Sequence, residues 1–275
     1  MAEDYELIDS GDGRKFERFG RVTLVRPCSQ ALWRPRDAAA WARATATFDR
    51  EDGNRWHGRG ALPKEWTIET AGLSFRLSGT DFGHLGIFPE QRAQWRWIQD
   101  ALKGRPGARV LNLFAYSGGS TLAAARGGAA EVCHLDASKG MVQWARDNAA
   151  LNGLQDRPVR WITDDAHKFL RREIRRARRY DAVVLDPPTF GRGANGETYK
   201  IARDLQETLA LVKGVLSERP LFVLFSSHTP GLSCRAAENL LADAFPAASG
   251  LASGEMLLEG AGRPCPSGVY CRAVF

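Results

Sequence analysis

The run Val110–Gly119, VLNLFAYSGG, stays apolar almost to its end and closes on small residues and a glycine pair. Apolar residues without polar alternation suit a strand covered on both faces, as in a parallel sheet between helix layers. A second run, DAVVLDPPTF at Asp181–Phe190, is closed by an acid, two prolines, a hydroxyl and an aromatic ring. Proline has no N–H to give a ladder, so the strand stops there and leaves Asp186 at its carboxyl end. In open α/β sheets, ligands bind beyond the carboxyl ends of the strands, where the strand order reverses. Two such ends on one sheet describe a nucleotide-type cofactor site facing a planar substrate.

The same alternation continues around these runs. Strands are predicted near 109–115, 130–136, 158–163, 180–186 and 220–226, and helices near 119–127, 139–151, 165–178, 200–216 and 234–243. Strands that alternate with helices imply parallel strands joined by right-handed crossovers. The tail, EMLLEG to GVYCRAVF, adds two short strands close enough in sequence for a hairpin, so one runs antiparallel at the edge. The expected fold is α/β: a Rossmann-like, mostly parallel sheet of seven strands.

Residues 1–88 read differently, and the expected division is a small β-rich module over 1–88 and a catalytic domain over 89–275. YELIDSGDGRKFERFGRVTLVRP alternates around Gly11-Asp12-Gly13, a hairpin signal. DAAAWARATATF, at Asp37–Phe48, predicts a helix; WTIET and LSFRL predict two strands joined at Ala71-Gly72; and PEQRAQWRWIQDALKG predicts another helix. Trp33, Trp41, Trp66, Trp95 and Trp97 suit a core, whereas Trp56, set among arginines and glycines, suits a face that stacks on a base.

Composition excludes several classes. No apolar run approaches the ~20 residues that span a bilayer, and the first residues lack a secretory signal's apolar segment. Five cysteines, Cys28, Cys133, Cys234, Cys265 and Cys271, are scattered without CxxC pairs. Neither a disulfide framework nor a metal site follows, and a cytoplasmic protein with buried or idle thiols is expected. The formal charge is +6, and its densest source is FLRREIRRARRY. Leu170, Ile174 and Ala177 fall on one helical stripe, leaving Arg171, Arg172, Arg175, Arg176, Arg178 and Arg179 outside. That face is either a solvated surface or a grip on phosphates.

Four strand ends carry the candidate chemistry. Gly118 and Gly119 would let backbone approach a ligand, and Asp136, about twenty residues on, could take both ribose hydroxyls. Asp164 and Asp165 could accept from an exocyclic amine, with Ala166 leaving room for a flat ring; Asp165 also suits a helix N-cap. Asp186, Pro187 and Pro188 would fix carbonyls and a carboxylate around a pocket, and Phe190 would stack on a base. His228, in SSHTP, is a candidate base contact or proton acceptor, and a polar strand end otherwise. Tyr199 and Lys200, after the Gly-rich GRGANGE, suit a flap over substrate or a plain loop.

Together NLFAYSGG, HLDASKGMVQWARDNAALNG, DDAHKFL and VVLDPPTF resemble the class I S-adenosylmethionine-dependent methyltransferases. More narrowly they resemble bacterial large-subunit ribosomal RNA methyltransferases, the group with cytosine-5 and guanine-N7 members. The resemblance covers Gly83 to the C-terminus, and FGHLGIFPEQR resembles the segment that closes over the cofactor there, which brings in Phe88 and Gln91. It implies S-adenosyl-L-methionine as cofactor. Phe114, Tyr116, Ser117 and Gly118 would line its methionine portion; Asp136, Ala137 and Ser138 its ribose; Asp164, Asp165 and Ala166 its adenine; and Asp186 the edge near the methyl group.

The implied partner is RNA, ribosomal RNA first, with Phe190, Tyr199, His228, Arg172, Arg175, Arg176 and Arg179 on the substrate side. Methylation of a small molecule or a protein side chain is the alternative activity, and a non-catalytic RNA-binding assembly factor the alternative class. Family members with an extra N-terminal RNA-binding domain are longer, and none is expected here. Cytosine-5 chemistry needs a cysteine nucleophile, yet DPPTFGRG and FSSHTPG contain none. DPPTF therefore looks like the guanine-N7 branch, where a ring nitrogen is already nucleophilic and the enzyme mainly aligns it.

Overall fold

The computed structural model describes residues 3–50, 53–193 and 196–275. The chain forms two compact units: the residues up to Ala93 with Met256–Ser267, and Gln94–Glu255 with Gly268–Phe275. The break thus falls later than residue 88, and the first unit also takes a piece of the C-terminal region.

In the first unit, β1 (Tyr5–Gly11), β2 (Arg14–Phe19), β3 (Val22–Pro27), β4 (Ala46–Asp49) and β5 (Arg55–His57) form one sheet in chain order, with only the β3–β4 pair parallel. The turn at Gly11-Asp12-Gly13 joins β1 to β2, and β6 (Trp66–Thr70) and β7 (Leu73–Leu77) form the hairpin around Ala71-Gly72. The predicted helix over Asp37–Phe48 shrinks to a short 3-10 turn, Ala38–Arg43, capped by the Asp37 carboxylate. Beyond it the backbone extends, because Ala46 and Phe48 alternate into the core while β4 pairs on both sides. Trp56 does not face a base. Its ring is buried 5.1 Å from that of Phe48, and its Nε1 donates to the Thr80 carbonyl at 2.7 Å.

The second unit carries β8 (Arg109–Leu113), β9 (Glu131–Asp136), β10 (Val159–Thr163), β11 (Ala182–Leu185), β12 (Phe190–Arg192), β13 (Thr198–Lys200) and β14 (Phe222–Ser227). Most of β15 (Gly250–Leu258) and β16 (Cys265–Val274) follows in the same sheet. Its helices are α1 (Arg92–Leu102, from Gln94 onward), α2 (Gly119–Arg126), α3 (Lys139–Leu151), α4 (Ala166–Arg175), α5 (Ile201–Val215) and α6 (Cys234–Ala244). The seven-stranded sheet has the order β10-β9-β8-β11-β14-β16-β15, so the chain reverses direction between β8 and β11. Neighbours from β10 to β14 are parallel, and β16 runs antiparallel to β14. The antiparallel strand is therefore next to the edge, which β15 occupies.

Burial follows position in the sheet. Every residue of β11 and β14 is buried, which is why these strands read as continuous apolar runs. The edge strand β10 is partly exposed and affords Arg160, whose guanidinium donates to Glu173 and to the Tyr180 hydroxyl, both at 3.1 Å. Tyr180 in turn donates to Glu173 at 2.6 Å. Burial opposes ionisation of Glu173, but these two donors outweigh it and hold the carboxyl below its ordinary range. A charged residue thus occupies the inner stripe of α4. Among the described residues no helix is long and apolar enough to cross a membrane.

The arginine helix is shorter than predicted. It ends at Arg175, because Tyr180 must reach a fully buried place where its N–H bonds the Val215 carbonyl at 2.8 Å. The Ala177 N–H bonds the Ile174 carbonyl and the Arg178 N–H that of Glu173, each at 3.0 Å, around an Ala177 held at φ +52°. This is a Schellman closure with alanine where glycine is the usual residue. Ala177→Gly is expected to raise stability by about 1 kcal/mol, since the left-handed penalty of a Cβ is removed. Urea denaturation with an unchanged or lower midpoint would contradict this account of the turn.

Candidate cofactor site

Register aligns the strand ends. Leu185 pairs with Leu113 and Leu113 with Leu135, so Asp186, Phe114 and Asp136 are the next residues at the carboxyl edges of β11, β8 and β9. With neighbouring strands about 4.8 Å apart, the Asp186 and Asp136 positions stand roughly 10 Å from one another across β8. Leu185 also pairs with Phe225, which brings Ser227, His228 and Thr229 beside the Asp186 turn.

Asp136 organises the turn after β8. Its Oδ2 accepts from the Tyr116 N–H at 2.9 Å and its Oδ1 from the Ser138 N–H at 2.8 Å. Burial pushes this carboxyl up, and the two amide hydrogen bonds oppose the shift. Each carboxylate oxygen has two acceptor positions, so two hydroxyl donors can still be met. Ser138 caps α3, and Ala137 lies between the two contacts as a half-buried residue. The turn itself is strained: Phe114 and Tyr116 sit at φ +54° and +49° without being glycine. Such outliers survive only where surroundings hold them, often at ligand sites. No sequence signal marks them.

Packing requires the glycines of this turn. A Cβ on Gly118, at φ +95°, would lie 2.9 Å from the Ala145 Cβ, and one on Gly119 would lie 2.5 Å from the Trp95 ring. Their missing side chains make room for α3 and α1. Ser117 is buried, and its carbonyl accepts from Asn148 Nδ2 at 2.9 Å. Beneath the turn, Asn112 donates to Thr121 Oγ1, which meets His134 Nδ1, both at 2.9 Å. Burial drives the His134 imidazole down to about 3, so this layer is neutral at physiological pH.

At the end of β10, Asp165 caps α4 through Oδ1 to the Lys168 N–H at 2.9 Å, and Ala166 beside it is buried. Asp164 is committed within the chain: one oxygen accepts from the Asp165 N–H and the other binds Arg172. Arg172 consequently belongs to the strand-end cluster and not to an outward grip. Arg176 pairs with Glu173, and Arg179 donates to the Arg178 carbonyl at 3.2 Å, while Arg175 and Arg176 remain exposed.

Pro187 is buried, Pro188 partly so, and Phe190 is 49% exposed at the start of β12. The Asp186 turn is tied to the end of β14 by Thr189 Oγ1 and Thr229 Oγ1 at 2.9 Å, a link that sequence reading missed. His228 Nδ1 lies 3.5 Å from Asp186 Oδ1. Tyr199 packs inward, its ring 5.0 Å from Phe114 and its hydroxyl 3.2 Å from Thr208 Oγ1. Burial pushes that phenol up to about 12. It braces the strained turn instead of riding on a flap; Ala194 and Asn195 of the intervening loop lie outside the described residues. Phe88 and Gln91 belong to the first unit, at the 3-10 turn Pro89–Gln91, where Phe88 packs 5.7 Å from His84.

A parallel sheet reversing at β8/β11, with acids at successive strand ends, defines a nucleotide-cofactor-binding α/β domain. The family model for S-adenosylmethionine-dependent methyltransferases matches residues 26–217, and the chain belongs to that family. The structure of a SAM-dependent methyltransferase from Agrobacterium tumefaciens is 37% identical, with a TM-score of 0.93 over 99% of this chain and 91% of that one. A ribosomal RNA large subunit methyltransferase K/L from Shewanella baltica (strain OS195) is 36% identical over 147 residues, 53% of this chain. Its counterpart from Pseudoalteromonas translucida is 34% identical over 168 residues, 60% of this chain. The matches span only 20% and 22% of those two relatives' own length.

The donor set fits S-adenosylmethionine: a rigidly held carboxylate with acceptor capacity for a diol, and a second carboxylate beside a small buried residue. Because Trp95 fills the space beside Gly119, Gly119→Ala is expected to lower stability by about 1–3 kcal/mol through overpacking. Unfolding curves matching those of the native chain would show that the Trp95 ring yields freely.

Proposed function

We propose that this chain transfers the methyl group of S-adenosylmethionine to a base in RNA, with large-subunit ribosomal RNA as the first candidate. The observation that carries the reading is the aligned row of Asp136, the strained Phe114–Tyr116 turn and Asp186 on adjacent strands. The names of the two relatives with matching segments support RNA as the substrate class.

When bound, the cofactor supplies an electrophilic methyl on a sulfonium. Asp136 holds the ribose hydroxyls, and Asp165 with Ala166 receives the adenine. Phe114, Tyr116 and Ser117 form the wall along the methionine portion, and Gly118 keeps that turn closed against α3. Asp186 and the Pro187-Pro188 turn present fixed acceptors at the substrate end, where alignment and exclusion of water supply most of the acceleration. Phe190, exposed on β12, offers a ring for a base to stack upon. His228, beside Asp186, contacts the base or takes a proton if the methylated atom carries one.

The cysteines give no support to a covalent route. Burial raises the Cys234 thiol, and contact with Cys28 raises that of Cys265, which favours a nucleophile already present on the base.

Asp136→Ala is expected to weaken S-adenosylmethionine binding by about 2 kcal/mol, because two hydroxyls lose their acceptor. Calorimetry showing native affinity in a folded variant would remove Asp136 from the site. Substrate affinity gives a separate check. Neutralising the exposed pair Arg175 and Arg176 to glutamine is expected to leave cofactor binding intact and to reduce the log–log salt slope of RNA binding by about 2. Removing two exposed arginines elsewhere, such as Arg126 and Arg235, is the control. Equal losses in both variants would make α4 an ordinary solvated surface.

A further inference from the structure

We infer that Cys28 and Cys265 form a reversible dithiol–disulfide site. The two lie 237 residues apart in sequence, yet both belong to the first unit, and their sulfurs stand 3.2 Å apart. Cys28 follows the last residue of β3 and Cys265 is the first of β16. A disulfide needs a sulfur separation of about 2.05 Å, so closing the bond takes a movement of roughly 1 Å.

Their surroundings differentiate the two thiols. Cys265 is fully buried, whereas Cys28 is half-buried and within reach of a small oxidant. The hydrogen bond from Cys265 is the main influence that brings the Cys28 thiol down to about 7, against burial and with help from the Lys15 ammonium and the Gln30 N–H. The same contact pushes the Cys265 thiol up. Cys28 is therefore the nucleophile and Cys265 the resolving partner. The remaining cysteines are unreactive by comparison: burial pushes Cys133 up to about 12 and Cys271 up to about 11, and raises Cys234 as well.

With hydrogen peroxide as oxidant, the Cys28 thiolate attacks one peroxide oxygen and the O–O bond breaks. The departing hydroxide takes up a proton as water, leaving Cys28 as a sulfenic acid. The Cys265 sulfur then attacks the Cys28 sulfur, the S–O bond breaks, and the Cys265 proton leaves with the hydroxide as a second water. The two thiols lose two electrons and the peroxide gains them. A small dithiol reverses the change by exchange.

The test uses the whole purified chain, treated with hydrogen peroxide at a small molar excess and then unfolded under acid quench. Titratable thiols are expected to fall from five to three and to return to five with dithiothreitol. Proteolysis and mass spectrometry should recover a peptide pair joining Cys28 to Cys265. In Cys265→Ser, dimedone is expected to label Cys28; Cys28→Ser is expected to keep its four remaining thiols through the same treatment. Five thiols after peroxide, a different joined pair, or oxidation of native Cys28 to sulfinic acid without a cross-link would each overturn the inference. Mapping of the native chain decides the matter even if the serine variants fold poorly.

Discussion

The carboxylate of Asp136 is the constraint on which the candidate site depends. It ends β9, yet it accepts the N–H of Tyr116 from the turn after β8 and the N–H of Ser138 ahead of α3. One side chain thereby fixes the exits of two neighbouring parallel strands. The strain at Phe114 and Tyr116 persists because this contact holds Tyr116 and the Tyr199 ring packs on Phe114. A loop so constrained presents its atoms without having to be ordered when a ligand arrives.

Charge is managed inside the second unit as carefully as apolar packing. Glu173, Tyr180 and Arg160 satisfy one another behind α4, and Arg178 reaches Glu131 on β9. A run of arginines that looks like one outward face is therefore divided. Some members hold the fold, Arg172 is bound at a strand end, and Arg175 and Arg176 face solvent. Arg175 and Arg176 are the exposed members that offer charge to a polyanion, Arg176 while also paired with Glu173.

The Asp186 end of the row differs from the Asp136 end in how it is held. Asp186 is followed by two prolines and tied sideways through Thr189 to Thr229, so the loops after β11 and β14 are joined. His228 lies next to that connection, between Ser227 and Thr229. Its Nδ1 stands 3.5 Å from Asp186 Oδ1, which links the two strand ends a second time.

Sequence alone determined the succession of the sheet's strands and helices in the second unit, though not the short β12–β13 hairpin, because fully buried parallel strands admit only apolar residues and prolines end them visibly. β11 and β14, the Asp186-Pro187-Pro188 stop and the helices between strands were all legible for that reason. It also marked Asp136, Asp165 and Asp186, since acids stand out at the ends of apolar runs. Tertiary structure decided what those residues touch. The glycines of the first turn proved to accommodate Ala145 and Trp95, Arg172 turned to Asp164, and Trp56 went into the core. The strand at Ala46–Asp49 appeared where local propensity favoured a helix, because pairing with β3 and β5 outweighs a weak local preference. The approach of Cys28 to Cys265 lay beyond any reading of the chain, since contacts between distant residues come from packing and leave no periodic trace in the sequence.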